Sequence, residues 1–267
     1  MDIENQLANK YYDKDNCRLV YLGNSSSQEN WDYHWDNAKT EVRNEFVSKI
    51  TRKYLKKGSY VLEAGCGVGD KVYTLNQDGY KVVGLDWASK TVERIKTSNP
   101  ELNCIVGDVR HMPYADRTFD GCWSLGVIEH FPEGFEVALG EAARILKVDG
   151  YLFLTVPSMN PLRKIKAAFS AYTSWSRPIG WEKSFYQFVL DPDKIVNAAK
   201  TFNLVPVDVH FMDGVKGLKD EVPFLQPILG PIYSSKKLPL KVARKLLQVC
   251  LSPFSGHICL FVLKKTS

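Results

Sequence analysis

An open α/β sheet, mostly parallel and covered by helices on both faces, is the fold class this sequence predicts, and three observations predict it. Between residues 60 and 157, short apolar runs alternate with segments of helical spacing, a rhythm that implies parallel βαβ units. Right-handed crossovers between such units place helices on both faces of one sheet. Runs such as residues 151–156 are apolar almost throughout, as expected of strands buried on both sides. Finally, the first strand candidate ends in a glycine-rich turn that feeds a helix.

Taken in order, residues 1–37 are rich in Tyr, Trp, Asn, Asp and Ser. They hold a loop at Gly23-Asn24-Ser25-Ser26-Ser27 and an aromatic cluster from Trp31 to Trp35. From 38 to 57, Val42, Phe46, Val47, Ile50 and Leu55 keep roughly helical spacing, which Gly58 ends. Strands follow at 60–64, 81–86, 103–107, 119–125 and 151–156, with helices at 71–78, 89–97 and 133–146. The rhythm breaks after Pro157. A basic helix at 162–170 and an aromatic stretch (Trp175, Trp181, Phe185, Tyr186, Phe188) precede a helix at 191–202, capped by Asp191 with Pro192 in its first turn. Residues 204–212 and 257–263 read as strands, and 214–235, rich in Gly and Pro, as a loop. Residues 238–251 are amphipathic, with Leu238, Val242, Leu246 and Val249 on one face.

The totals bound the function. The chain has 267 residues, 45% hydrophobic and 24% charged, which suits one α/β domain or a domain with a cap. No run of about 18 apolar residues occurs, so no transmembrane helix is expected. The start, Met1-Asp2-Ile3-Glu4-Asn5-Gln6, lacks the basic and apolar runs of a signal peptide. Six scattered cysteines form no C-x-x-C pair, which argues against a disulfide framework or a metal site and for a reducing, cytoplasmic setting. Net charge is −4 over residues 1–157 and +9 over 158–267, and no acid follows Glu221. Such asymmetry fits an anionic partner or a solvated basic surface. No nucleic-acid recognition motif accompanies it, so no nucleic-acid partner is expected.

Three features carry chemistry. Glu63-Ala64-Gly65-Cys66-Gly67-Val68-Gly69 follows the first strand; small residues there allow a sharp turn and close ligand approach, and the helix behind offers free N–H groups. Asp86 ends the second strand 21 residues after Gly65, where a carboxylate can accept both hydroxyls of a ribose. Trp87, next to it, suits either an adenine face or packing. Asp108, with Val109, follows the third strand at the carboxyl edge of the sheet, within reach of an adenine amino group.

Together these features resemble the class I S-adenosylmethionine-dependent methyltransferase superfamily, in particular the small methyltransferases that include the ubiquinone-biosynthesis type. The resemblance covers roughly residues 40–160. The family's acidic-x-Gly-x-Gly-x-Gly loop is matched by Glu63, Gly65, Gly67 and Gly69, its ribose acid by Asp86 and its adenine-binding Asp by Asp108. Its fourth-strand segment is similar to residues 119–130, which implies that Leu125 and Gly126 line the methionine part of the cofactor. Arg144-Ile145-Leu146-Lys147-Val148-Asp149-Gly150 resembles the family's approach to the fifth strand, with Asp149 where a proline is common. The resemblance implies a Rossmann-like, doubly wound, mostly parallel sheet with an antiparallel edge strand. It also implies a substrate cap drawn from 1–37, 158–190 and 213–256. On this reading residues 1–37 are a cap segment, 38–157 the cofactor-binding core and 158–267 the completion of the sheet, all within one structural domain.

The implied activity is in-line transfer of a methyl group from S-adenosylmethionine to a small-molecule, glycan or lipid-linked acceptor, expected to be anionic. His130 is the candidate base, weighed against a structural His bonded to a backbone carbonyl. Glu129 is a second candidate, and no metal is expected. Tyr33 and His34 are placed to cover the site or to pack. The 238–251 helix is expected to pack its apolar face inward, with contact to a membrane surface as the alternative. Two other classes stay open: a cofactor-binding scaffold without catalysis, and a nicotinamide-dependent oxidoreductase. The latter's G-x-G-x-x-G is not met by Gly65-Cys66-Gly67-Val68-Gly69-Asp70. Acceptor atom, pathway and oligomeric state are not encoded in any recognisable pattern.

Overall fold

The computed structural model describes every residue except 1–8, 24, 37 and 236. The acidic N-terminal hexapeptide, Asn24 of the predicted loop and Lys236 of the basic stretch therefore lie outside the described residues. In chain order, β1 (Asn9–Asp13) and β2 (Arg18–Leu22) precede α1 (Gln28–Trp35) and α2 (Glu45–Tyr54). Next come β3 (Tyr60–Ala64), α3 (Asp70–Gln77), β4 (Lys81–Asp86), α4 (Ser89–Ser98), β5 (Cys104–Val106), β6 (Phe119–Leu125), α5 (Glu136–Ile145) and β7 (Leu146–Pro157). The rest is α6 (Pro161–Ala168), β8 (Thr173–Ser174), β9 (Phe185–Val189), α7 (Pro192–Thr201), β10 (Leu204–Met212), α8 (Gly214–Glu221), α9 (Gln226–Ser234), α10 (Leu238–Ser255) and β11 (Ile258–Lys265).

The main sheet runs β10-β11-β7-β6-β3-β4-β5. β7, β6, β3, β4 and β5 are parallel, while β11 is antiparallel to both β7 and β10. The predicted class, a doubly wound, mostly parallel sheet with one antiparallel strand, is the one observed, but the antiparallel strand expected at the edge is β11, one place in, with β10 outside it. Apolar residues of the strands divide between its faces. Leu62, Val83, Cys122, Leu152 and Leu154 pack with α5 and α7 on one side. Val61, Val82, Trp123, Phe153 and Leu260 pack with α2, α3 and α4 on the other. Indole Nε1 of the buried Trp123 donates to Thr51 Oγ1 of α2 at 3.0 Å, so the bulkiest core side chain buries no orphan donor.

Three expectations are corrected. Strands within 9–22 and 173–189, where the sequence showed only a cap segment and an aromatic stretch, form a second sheet, β8-β1-β2-β9. Its strands β2 and β9 pair across more than 160 residues of chain, a partnership that local periodicity cannot reveal. Residues 214–235 are two helices joined by a 3-10 turn at Pro223–Leu225, not a loop. Gly214 and Gly217 are there for contact: a Cβ on Gly217 would lie 1.7 Å from the Ser255 carbonyl oxygen, and one on Gly214 2.3 Å from the Ser252 nitrogen. Proline in the first turn of a helix costs nothing, which accommodates Pro227.

The third correction concerns α10, whose apolar positions Leu238, Val242, Leu246 and Val249 are exposed rather than packed. Among the described residues of the 213–256 segment, Val215 and Leu229 are the buried apolar side chains, and polar contacts add to their hold. Arg163 of α6, fully buried, donates to Glu221 Oε1 of α8 at 2.9 Å and to the Ser158 carbonyl at 2.8 Å.

Candidate active site

The strand order reverses at β3, with β4 and β5 on one side and β6 and β7 on the other. Outside the carboxyl ends of strands at such a reversal the crossover helices diverge and leave a crevice. A cavity of about 510 Å³ opens there, a size that suits a small organic ligand. Its lining includes Gly65, Asp86, Trp87, Asp108, Val109, Leu125, Gly126 and His130. The structure thus brings together residues that the sequence placed 65 positions apart. Glu63, Cys66, Gly67, Gly69 and Glu129 do not line it; they stand behind its wall.

Gly65 leaves β3 with φ +84, and a Cβ there would lie 2.4 Å from Val127 Cγ2. Glycine is required on both counts. The Gly67 N–H donates to Asp86 Oδ2 at 2.7 Å and the Ala88 N–H to Asp86 Oδ1 at 2.9 Å. Asp86 therefore ties the glycine loop to the start of α4. Burial raises its pKa, and the backbone donors pull the other way. A carboxylate offers about four lone-pair directions, so each oxygen retains acceptor capacity. Gly69, with φ +76, opens α3.

Glu63 is fully buried, and neither carboxyl oxygen has a hydrogen-bond partner. Lys71 Nζ approaches only to 3.9 Å, and burial pushes the carboxyl pKa well up. Cys66 lies beneath the loop beside Cys104; a Cβ on Gly84 would meet the two sulfurs at 2.8 and 2.9 Å. Asp108 is gripped by Arg110, with Nε 3.0 Å from Oδ1 and Nη2 2.7 Å from Oδ2. Burial opposes its ionisation, yet these bonds hold its carboxyl below the usual range. Arg110 also bonds Glu133 on the cavity rim.

His130 sits in a 3-10 turn after β6, where its Nδ1 lies 2.7 Å from the Tyr186 carbonyl oxygen and 3.3 Å from Ser26 Oγ. The carbonyl oxygen can only accept, which puts the proton on Nδ1 and leaves Nε2 as an acceptor. Burial lowers the ring's pKa to about 4. Glu129, one residue earlier, is buried with Oε2 unpartnered, and burial raises its pKa to about 8. Among the described residues, no three His, Cys, Asp or Glu side chains converge as a metal site.

The opposite wall is aromatic. Trp31 and Trp35, one turn apart on α1, line the cavity with Phe131 and Phe185. A Cβ on Gly67 would lie 2.9 Å from the Trp35 indole, so the ring rests on the glycine loop. Asp32 Oδ1 accepts from the Thr91 N–H and hydroxyl at 2.9 and 2.8 Å, and Arg94 donates to the Trp35 carbonyl at 2.5 Å, pinning α1 to α4. Tyr33, expected near the site, is 84% exposed. His34 packs edge-on against Trp31 and Trp35 without lining the cavity. The i, i+4 spacing of Trp31 and Trp35 was the signal for the correct pair. Lys183 and Glu182 complete the rim.

With this geometry in place, similarity to known proteins is informative. Residues 62–154 match the family model described as a methyltransferase domain. An uncharacterized protein of Methanocaldococcus jannaschii is 30% identical over 63% of this chain and 70% of its own length. A malonyl-[acyl-carrier protein] O-methyltransferase of Erwinia pyrifoliae is 30% identical over 41% of each chain. The chain belongs to the class I S-adenosylmethionine-dependent methyltransferase superfamily. The fold agrees: phosphoethanolamine N-methyltransferase 2 of Haemonchus contortus superposes with a TM-score of 0.57 over 90% of this chain and 58% of its own, at 16% identity. As a member of this superfamily, the chain presents a donor set that fits the superfamily's cofactor. It offers a buried carboxylate with spare acceptor capacity (Asp86), bare glycine backbone at Gly65 on the cavity lining, and apolar surface beside them.

Proposed function

We propose that the protein transfers a methyl group from S-adenosylmethionine to an acceptor that reaches the cavity between α1 and the His130 turn. The observation that carries this reading is one cavity shared by Asp86, Asp108, Gly65, Leu125, Gly126 and His130. Bound there, the cofactor supplies an electrophilic methyl on a sulfonium. Asp86 would hold the ribose hydroxyls, and Trp87 and Val109 would flank the adenine. For Asp108 to accept from the adenine amino group, it must share a carboxylate now engaged by Arg110. The protein's contribution is to fix the two reactants and exclude water. His130 Nε2 would accept a hydrogen bond from the acceptor's nucleophile, and a proton where the nucleophile is a hydroxyl.

The acceptor class follows from the wall. Trp31, Trp35, Phe131 and Phe185 favour an apolar body. Among the described residues, Lys183 is the lining cation without a carboxylate partner, so an anionic group would sit at the rim. A lipid-linked or apolar acidic small molecule answers both demands better than a free glycan. The test is calorimetric titration with S-adenosylhomocysteine of the wild type and Asp86→Ala, with NAD as control. Micromolar binding lost in the variant supports the reading. A folded protein that ignores S-adenosylhomocysteine sinks it, and binding without turnover across an acceptor screen would favour a cofactor-binding scaffold.

A further inference from the structure

α10 is amphipathic in the reverse of the usual sense. Its polar side chains point inward: Gln248 accepts from the Val215 N–H at 3.1 Å, Ser252 Oγ from the Gly214 N–H at 3.2 Å, and Ser255 Oγ donates to the Gly214 carbonyl at 2.9 Å. Arg244 donates to the Tyr233 carbonyl of α9. Its apolar side chains face out. Leu238, Val242, Leu246 and Val249 recur at helical spacing, and Leu238 and Val249 are 73% and 74% exposed. Scattered exposed leucines need no explanation, whereas a contiguous stripe along a helix does.

The charge beside the stripe says what covers it. Lys237, Lys241 and Lys245 are exposed, and among the described residues none of them forms an ion pair. At 100° per residue, Lys241 and Lys245 fall along one border of the stripe formed by Val242, Leu246 and Val249. No acidic residue occurs between 222 and 267. An apolar stripe bordered by lysines on an 18-residue helix matches the chemistry of a bilayer surface with anionic headgroups, where apolar side chains enter the acyl boundary and lysines stay at the phosphates. No helix of the described residues is long and apolar enough to cross a membrane. The segment leaves the main sheet after β10 and returns at β11, both at the end where β7 finishes and the cavity opens.

We propose that α10 docks the protein in the interface of an anionic membrane. This inference stands apart from the methyl-transfer reading, since it rests on a different surface. The experiment is co-sedimentation of the full chain with vesicles of phosphatidylcholine alone or with about 30 mol% phosphatidylserine, at low and high salt. Binding is expected to the anionic vesicles only and to fall with salt. Lys241→Ala and Lys245→Ala should each weaken it about fivefold. Leu246→Ser/Val249→Ser should weaken it at least about tenfold and leave S-adenosylhomocysteine binding unchanged, which shows that the variant folds. Wild type that stays in the supernatant, or a stripe variant that binds like wild type, overturns the proposal. So would concentration-dependent dimerisation that the same variant abolishes without any vesicle binding, because the stripe would then be an interface between copies.

Discussion

His130 Nδ1 lies 2.7 Å from the Tyr186 carbonyl oxygen, and this bond fixes the ring's tautomer. It joins the turn after β6 to β9 of the second sheet, so the sheet that the sequence hid orients the histidine it had named as the candidate base. Burial holds the ring's pKa near 4. The ring should therefore stay neutral, with its proton on Nδ1, from pH 8 down to about 5. Nitrogen-15 NMR of histidine-labelled protein checks this: Nε2 should keep a pyridine-type shift throughout. An imidazolium signal for His130 at pH 6 would remove it as a standing acceptor.

Trp35 lies against Gly67, within 2.9 Å of where a Cβ would stand. Any ligand on the glycine loop must meet this indole. S-adenosylhomocysteine should therefore change the intrinsic fluorescence. Trp35→Ala should lose most of that change and weaken binding about tenfold. Tyr33→Ala, at a position 84% exposed, should alter neither. Equal effects from the two variants would mean that α1 does not cover the bound ligand.

The core of the fold was legible because its signals are local. The strand–turn–helix units from Tyr60 to Pro157 each announce themselves within a dozen residues, and Gly65, Asp86, Asp108 and Gly126 follow from strand ends. What escaped depends on distant contacts. β2 meets β9 only after the chain has laid down the five parallel strands of the main sheet. Trp31 and Trp35 become site residues only because Asp32 finds Thr91. Glu63 was read from the acidic-x-Gly-x-Gly-x-Gly pattern, and its burial with both oxygens unpartnered depends on what packs around β3, which no local signal discloses. The glycines of 214–217 were read as breakers because sequence alone does not distinguish a glycine that ends a helix from one that lets another helix approach.

Gly217 makes that last distinction testable. In an exposed helix, Gly→Ala stabilises by up to about 1 kcal/mol. A Cβ on Gly217 would instead lie 1.7 Å from the Ser255 carbonyl oxygen. Gly217→Ala should therefore destabilise by about 3 kcal/mol, read as a lower urea midpoint. Gly230→Ala in α9 is the control. Nothing lies within 4 Å of its Cβ, so it should be neutral or stabilising. A neutral Gly217→Ala would mean that α8 does not pack on α10 as described.

Glu129 gives the chain a stability that depends on pH. Burial raises its pKa from 4.5 to about 8, so between those values the folded state holds a proton that the unfolded state has released. Stability from this group is then fully present below about pH 4.5 and is lost as pH rises towards 8, at up to ~1.4 kcal/mol per pH unit. His130 acts with the opposite sign, but only between its folded value near 4 and its ordinary 6.5, where the unfolded state binds more protons. His130 is present in both wild type and Glu129→Gln, so its contribution cancels when the two are compared. Glu63, raised in the same direction, contributes equally to wild type and variant. The melting temperature of the wild type should thus fall relative to that of Glu129→Gln between pH 6.5 and 8. Parallel curves would show that Glu129 ionises in the fold as readily as in water, and that the wall behind Gly126 is wetter than its burial implies.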